Sequence, residues 1–388
     1  MNSKSKVFFL SFFIIVAYGN CGLNQSPAIV GGALTPLVTS TSVKLNGAIQ
    51  TSEISLTGSS TTVLLSRKVN SEKTILLCSY RYGGSTLSYI STCKLSTTGD
   101  SIIFDTGGEY SGTIARYSLI EFSTGVTVSR DEIEVGINSL GKDLDFGVQL
   151  DLTKNFIIQS SRGTSTSNTL DVARLYKASF ISNQKLQFKR NFTGGGFSSK
   201  ITYQKVQIDE SSIQSGEVTI SNLTDSITKS INQINLNKSI LIFSINSDTS
   251  INGEEANYII KGGFQNSSTI LFNRKGTAGT INISYFVIEF TGSVNVNYGS
   301  HTVSTNTTKG IQTLDTTLTN NENSLLLFNN NISSGSNTSD ALDSSSFTGY
   351  FSNSSGTESG NTNICFERVS TKNSSAEINY YAIEFAQK

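Results

Sequence analysis

A single histidine, His301, stands in the 388-residue chain, and it bounds the chemistry at once. A hydrolase of the Ser-His-Asp or Cys-His kind needs a histidine base beside its nucleophile, and no Gly-x-Ser-x-Gly elbow accompanies this one. No His/Cys spacing suits zinc. Asp248, Asn252, Glu254 and Glu255 form an acidic loop that could hold calcium weakly. They lack the Asp-x-Asp-x-Asp alternation and the glycine of an EF-hand, so they read as a solvated loop. No glycine-rich phosphate loop leads into a helix. These absences imply no cofactor, no metal and no catalytic residue.

The four cysteines divide by context. Cys78 and Cys93 flank Gly83-Gly84-Ser85-Thr86. In a hairpin centred between Ser85 and Thr86 they stand directly opposite each other, about 4.5 Å apart at Cα, within reach of a disulfide. Cys365 lies in an apolar run and reads as a partnerless thiol, buried or at a sheet edge. Cys21 follows an export signal, considered below.

A carboxylate recurs in the stretch that organises the chain. Tyr285-Phe286-Val287-Ile288-Glu289-Phe290 has counterparts beginning at Tyr117, Tyr203 and Tyr380, ending in Phe122, Ile208 and Phe385, at intervals of roughly 85 residues. The glutamate is Glu121, Glu289 and Glu384, with Gln207 in the second copy. A glycosidase needs two carboxylates, and each copy supplies one at most, so the glutamate reads as structural. By strand alternation Phe286, Ile288 and Phe290 share the core face and Glu289 points away from it. Two further marks keep the same period. One begins at Lys73, Lys154, Lys238 and Asn323; the other is Ile102-Ile103-Phe104, Leu186-Gln187-Phe188, Ile270-Leu271-Phe272 and Ile364-Cys365-Phe366. Arg190, Arg274 and Arg368 follow the last three, while the first copy has Thr106. With a hairpin joining this mark to the Tyr stretch, the arginine lies far from the glutamate and caps the strand end beside the turn.

The elements that carry these residues are short runs of β-branched and aromatic residues bounded by Gly, Ser and Asn. The expected fold is all-β, a tandem array of four β-sandwich-like repeats with about seven strands each. The alternative is one larger barrel or β-solenoid drawing strands from all four copies. The expected domains are 43–123, 124–210, 211–292 and 293–388, each with its own core, preceded by a signal at 1–20 and a tether at 21–42.

Basic and acidic residues balance at 29 each, with no polybasic stripe, so nucleic acid is not an expected partner. Lys4 and Lys6 precede an apolar run from Val7 to Ala17, too short to span a membrane and fitting a signal peptide. Two processing sites compete. Ala17-Tyr18-Gly19 suits ordinary signal peptidase, whereas Tyr18-Gly19-Asn20-Cys21 resembles a bacterial lipobox, departing from the usual pattern at Tyr18 and Asn20 in the manner of spirochaete lipoproteins. That resemblance implies a lipid on Cys21 and a cell-envelope location, with the outer membrane expected and secretion as the alternative. The segment after it, with Pro27 and Pro36, reads as a spacer. Asn-x-Ser/Thr sequons such as Asn191, Asn222, Asn266, Asn282 and Asn373 would carry glycans only in a eukaryotic secreted protein.

The Tyr stretches, each followed closely by Val-x-Val as at Val126 and Val128, are similar to extracellular bacterial and phage-associated β-repeats. This implies a sandwich array outside a cell and brings no activity with it. The expected function is binding or adhesion toward an extracellular glycan or protein, with Tyr80, Tyr82, Tyr350 and Phe351 as candidate ligand aromatics. The alternatives are a structural or assembly subunit, and more distantly a carbohydrate-active enzyme. The oligomeric state stays open.

Overall fold

A computed structural model describes residues 42–82, 91–106, 112–163, 171–193, 198–248, 255–333, 345–358, 360–369 and 374–386. The signal, Cys21 and nearly all of the tether lie outside them, as do Asn252, Glu254 and Asn373.

The first copy contains β1 (Lys44–Leu45), β2 (Gln50–Leu56), β3 (Ser60–Leu64), β4 (Thr74–Arg81), β5 (Thr92–Leu95), β6 (Ser101–Asp105) and β7 (Thr113–Thr124). The second contains β8 (Val126–Val135), β9 (Gly141–Asp145), β10 (Asn155–Gly163), β11 (Lys177–Phe180), β12 (Lys185–Lys189) and β13 (Ser199–Ile208). The third contains β14 (Ser211–Ile220), β15 (Ser226–Ser230), β16 (Ser239–Ser247), β17 (Lys261–Asn266), β18 (Thr269–Asn273) and β19 (Ile281–Phe290). The fourth contains β20 (Val294–Val303), β21 (Lys309–Thr313), β22 (Ser324–Ile332), β23 (Thr348–Ser352), β24 (Asn363–Glu367) and β25 (Ala376–Phe385).

The fold is all-β, and each unit is a sandwich of two antiparallel sheets, none closed into a barrel. In the third unit the long sheet runs β14-β19-β16 and the short one β15-β18-β17. The second and fourth units repeat that order, and in the first β1 and β2 together play the part of the first strand. The first unit has seven strands and the others six; in the third, the segments around Ile213 and Val218–Ile220 are one continuous strand. The expected hairpin between the Ile270 strand and the Tyr strand is absent. β18 pairs with β15 and β17, and β19 with β14 and β16, so the connection crosses from one sheet to the other.

Every turn between the second and third strands is built alike. Asn70, Asp151, Asn235 and Asn320 each accept a backbone N–H two residues on at their side chains. The first strand residue then reaches back to the cap carbonyl: Thr74, Asn155, Ser239 and Ser324 donate to it at 2.6–2.8 Å. Lys73, Lys154 and Lys238 donate to carbonyls of Val126, Asp209 and Gly292 at the junction with the following unit. The fourth unit has Asn323 there.

The four units close into a ring. The fourth strand of each unit packs on the long sheet of the next: β5 on β10 and β13, β11 on β16 and β19, β17 on β22 and β25, and β23 back on β4 and β7. One polar pair marks each contact. The last residue of the fifth strand meets the residue near the end of the next unit's third strand. Asp105 pairs with Arg162, the Lys189 carbonyl accepts from Asn246, Asn273 accepts from Asn331, and Glu367 pairs with Arg81. A head-to-tail interface used repeatedly gives a ring when its rotation closes, as it does here within one chain.

The first and fourth sandwiches keep core clusters of their own, around Ile102 and Phe104 and around Ile364 and Phe366, and a further cluster is shared among the units. Ser40–Lys388 is one compact unit. One apolar cluster contains Phe122, Ile208, Phe290 and Phe385, one from each unit, and Phe385 meets both Phe122 (5.5 Å) and Phe290 (6.3 Å) edge-on. The face of the Tyr strand carrying Ile288 and Phe290 therefore looks toward the neighbouring units. The opposite face is buried too: Tyr285 packs on Phe272 inside its own sandwich, and Val287 is fully buried. A central strand covered on both sides reads as a nearly continuous apolar run, which is what Ile281–Phe290 shows.

Candidate functional site

The recurring glutamate sits at the rim of the sandwich, where it holds the turn described above. Glu121 is buried, pairs with Arg67 and accepts the Asn70 N–H at 2.7 Å. Glu289 accepts the Asn235 N–H at 2.8 Å, and Glu384 those of Thr319 and Asn320. Gln207 is exposed and donates to Asp209. In three units the glutamate thus fastens the turn ahead of the third strand of its own sandwich.

The recurring arginines are among the most deeply buried side chains. Arg274 donates to carbonyls of Ser221 and Thr224 in the first loop of its unit, of Asn257, and of Thr277, Ala278 and Gly279 ahead of β19, at 2.6–3.1 Å. Arg190 and Arg368 make the same kind of bonds. Burial lowers the pKa of all three. They tie together the loops at one end of each sandwich, as strand-end caps.

Cys78 and Cys93 form a disulfide with Cα atoms 6.6 Å apart, but not across a hairpin. β4 belongs to the long sheet and β5 to the short one, so the bond spans the sandwich interior. The equivalent positions are Phe243 with Gly262 and Phe328 with Gly349. A Cβ on Gly262 would meet Phe243 at 2.7 Å, and one on Gly349 would meet Phe328 at 2.8 Å. An aromatic ring over a glycine and a disulfide thus fill the same place. Replacing both cysteines by alanine is expected to cost about 3 kcal/mol, the value for closing a loop of this length. Cys78→Phe with Cys93→Gly should recover part of that loss, measured by urea unfolding. A double variant no better than the alanine pair would break the equivalence.

His301 donates or accepts at Nδ1 with Gln312 (3.0 Å), stacks on Phe366 and has its pKa lowered by burial. Cys365 is buried, and burial pushes its thiol pKa up. Asp248 accepts the Thr280 N–H at 2.5 Å, and among the described residues no group of three His, Cys, Asp or Glu could hold a metal. No family model matches the chain, and no curated protein matches it. Of the proposed ligand aromatics, Tyr82 and Tyr350 are buried; Tyr80 stacks on Tyr82 at 5.9 Å, and Arg116 lies over Tyr350 at 4.8 Å. Tyr350 packs between the fourth and first units, and Phe351 packs on the fourth unit's own core.

The site that sequence reasoning missed is a cavity of about 780 Å³ among the first, second and fourth units. Its origin lies in one position of the Tyr strand, the residue after the tyrosine. In the third and fourth units this is Phe286, 5.9 Å from Phe180, and Tyr381, 5.9 Å from Phe264. Those rings fill the contact with the preceding unit. The first and second units carry Ser118 and Gln204 instead, and both line the cavity. Gln204 turns to the free edge of β4, accepting the Leu76 N–H at 2.9 Å and donating to the Leu76 carbonyl at 2.6 Å. The substitution of Ser and Gln for two aromatics was visible in the aligned repeats.

The cations around the cavity are engaged by the protein, while the exposed Asp131 accepts the Glu132 N–H and has no ion pair among the described residues. Lys94 pairs with Glu132 at 3.0 Å, Arg116 with Glu358, and Arg130 donates to the Ser71 and Thr74 carbonyls. Burial pushes Arg130 down to about 10. Three buried polar atoms of lining residues lack a partner, Tyr80 Oη, Arg130 Nε and Gln159 Oε1, and all three are shielded from the cavity itself.

Proposed function

We propose that the chain is an exported, lipid-anchored cell-envelope protein that binds an extracellular ligand and performs no catalysis. The observation that carries this reading is the polarity of the ring. The Ser42 carbonyl accepts from Thr124, the Val43 N–H donates to Glu210, and the Ala386 N–H donates to the Ser293 carbonyl. The first described residues, the last ones and the junctions between units therefore share one end. Strands of ten residues put the arginine-tied loops about 30 Å away at the other. A lipid on Cys21, joined through the spacer, would turn the first end to the membrane and the loops outward. The Cys78–Cys93 disulfide suits an oxidising compartment.

Cys21→Ala is expected to move the protein from the detergent phase to the aqueous phase on phase partitioning of cells. Single acyl chains hold proteins only marginally, so the native anchor should carry more than one. A variant that stays in the detergent phase would rule out this anchor.

A further inference from the structure

We propose that the cavity among the first, second and fourth units is the ligand site, and that its ligand is a neutral, hydroxyl-rich ring compound of mono- to disaccharide size. The proposal rests on the binding role argued above and names the class of ligand. A volume of about 780 Å³ falls within the range of sites for small molecules, roughly 300–1,000 Å³. Nothing in the fold demands the space, because the same contact is filled by aromatic pairs at Phe180–Phe286 and Phe264–Tyr381.

The lining selects the ligand's character. An anionic ligand would have to compete with bonds already made by Lys94, Arg116 and Arg130. A purely apolar one would cover the hydroxyl and amide groups of the lining and take them out of water without replacing its hydrogen bonds. The lining is instead rich in neutral hydroxyl and amide side chains, among them Ser118, Ser160, Thr202 and Asn330, to which a ligand's hydroxyls can donate and from which they can accept. Phe328 and Phe347, also in the lining, offer apolar surface to the C–H faces of a sugar ring.

The test is calorimetric titration of the full chain with glucose, galactose, N-acetylglucosamine, cellobiose, lactose and chitobiose, beside glucuronic acid and glucosamine as charged counterparts. At least one neutral saccharide should bind and raise Tm. Ser118→Phe, which copies Phe286, should weaken that binding at least about a hundredfold, more than one misplaced methylene usually costs a pocket. Its Tm without ligand should stay level or rise. Asn330→Leu, which keeps the volume and removes a polar lining group, should weaken binding while leaving the space open, and so serves if the larger side chain disturbs folding. Binding of charged sugars only, of none, or equally by both variants and the native protein would overturn the proposal. Any of these results leaves the partitioning of Cys21→Ala untouched, so loss of the site and loss of the anchor are told apart.

Discussion

Arg274→Ala should destabilise the protein by about 4 kcal/mol or more, because it orphans several buried carbonyls at once and each costs about 1–3 kcal/mol. Arg274 is 2% exposed and binds three separate loop segments. Arg274→Lys should recover less than half of the loss, since an ammonium has three donors at one point and cannot reach carbonyls spread around a planar fork. The first unit shows what is needed to do without the arginine. Its first loop spans only residues 57–59, against 221–225, 136–140 and 304–308 in the others. Thr106 manages the short loop with one hydroxyl bond to the Gly58 carbonyl, while its N–H donates to Ser59. The five-residue loops turn carbonyls inward, and only a guanidinium collects them. Urea unfolding of the full chain measures the effect. A lysine variant as stable as the native protein would mean that charge, and not the fork, is what the site requires.

The repeat, the strand content and the sandwich units were legible because alternation and turn residues are local signals. Parity along the Tyr strand correctly separated Phe286, Ile288 and Phe290 from Tyr285 and Val287. It then assumed a single core, whereas a ring of sandwiches buries both faces. The disulfide partners were named through a hairpin that does not exist. Residues fifteen apart came together because the third and fourth strands lie in facing sheets. Ring closure was not legible from any one segment, since Arg81 and Glu367 are separated by 286 residues. It was latent in the aligned repeats, where Asp105, Lys189, Asn273 and Glu367 form one column and Arg162, Asn246, Asn331 and Arg81 another. Reading the second column one unit out of step with the first matches each acid to an arginine. It sets the Lys189 and Asn273 positions against neutral amides. Lys189 against Arg81 or Arg162 would repel, so the pairing also disfavours the wrong order of units.

Glu367→Ala should cost about 3 kcal/mol, the lower end of the effect of breaking a buried ion pair, because Arg81 keeps Glu53 as a second partner. The side chains of Glu367 and Arg81 are only 10% and 12% exposed, so solvent does little to replace the lost bond. This contact joins the fourth unit to the first, the one place where no covalent junction holds the ring together. The damage should therefore be local. The Tyr82 N–H donates to Ser346 and the Ile49 N–H to Glu322 across that contact, and both should exchange with deuterium faster in the variant. The Ala178 N–H, bonded to Ser244 between the second and third units, should keep its protection. Equal acceleration at all three would mean global unfolding and no separate closing contact. Acid should act in the same direction. Burial alone would raise the Glu367 carboxyl, but hydrogen bonds from Lys309, Tyr350 and Arg81 outweigh it and hold its pKa below the usual range. Glu217 and Glu377, at the contacts of the third unit with its two neighbours, are lowered by lysine partners in the same way. A depressed carboxyl contributes its full stabilisation above the unfolded value, about 4.3, and loses it as pH falls through the folded value. Stability should fall below pH about 4 by more in the native protein than in Glu367→Ala, which has one such group fewer. Parallel pH profiles for the two proteins would show that the Glu367 carboxylate contributes nothing to closing the ring.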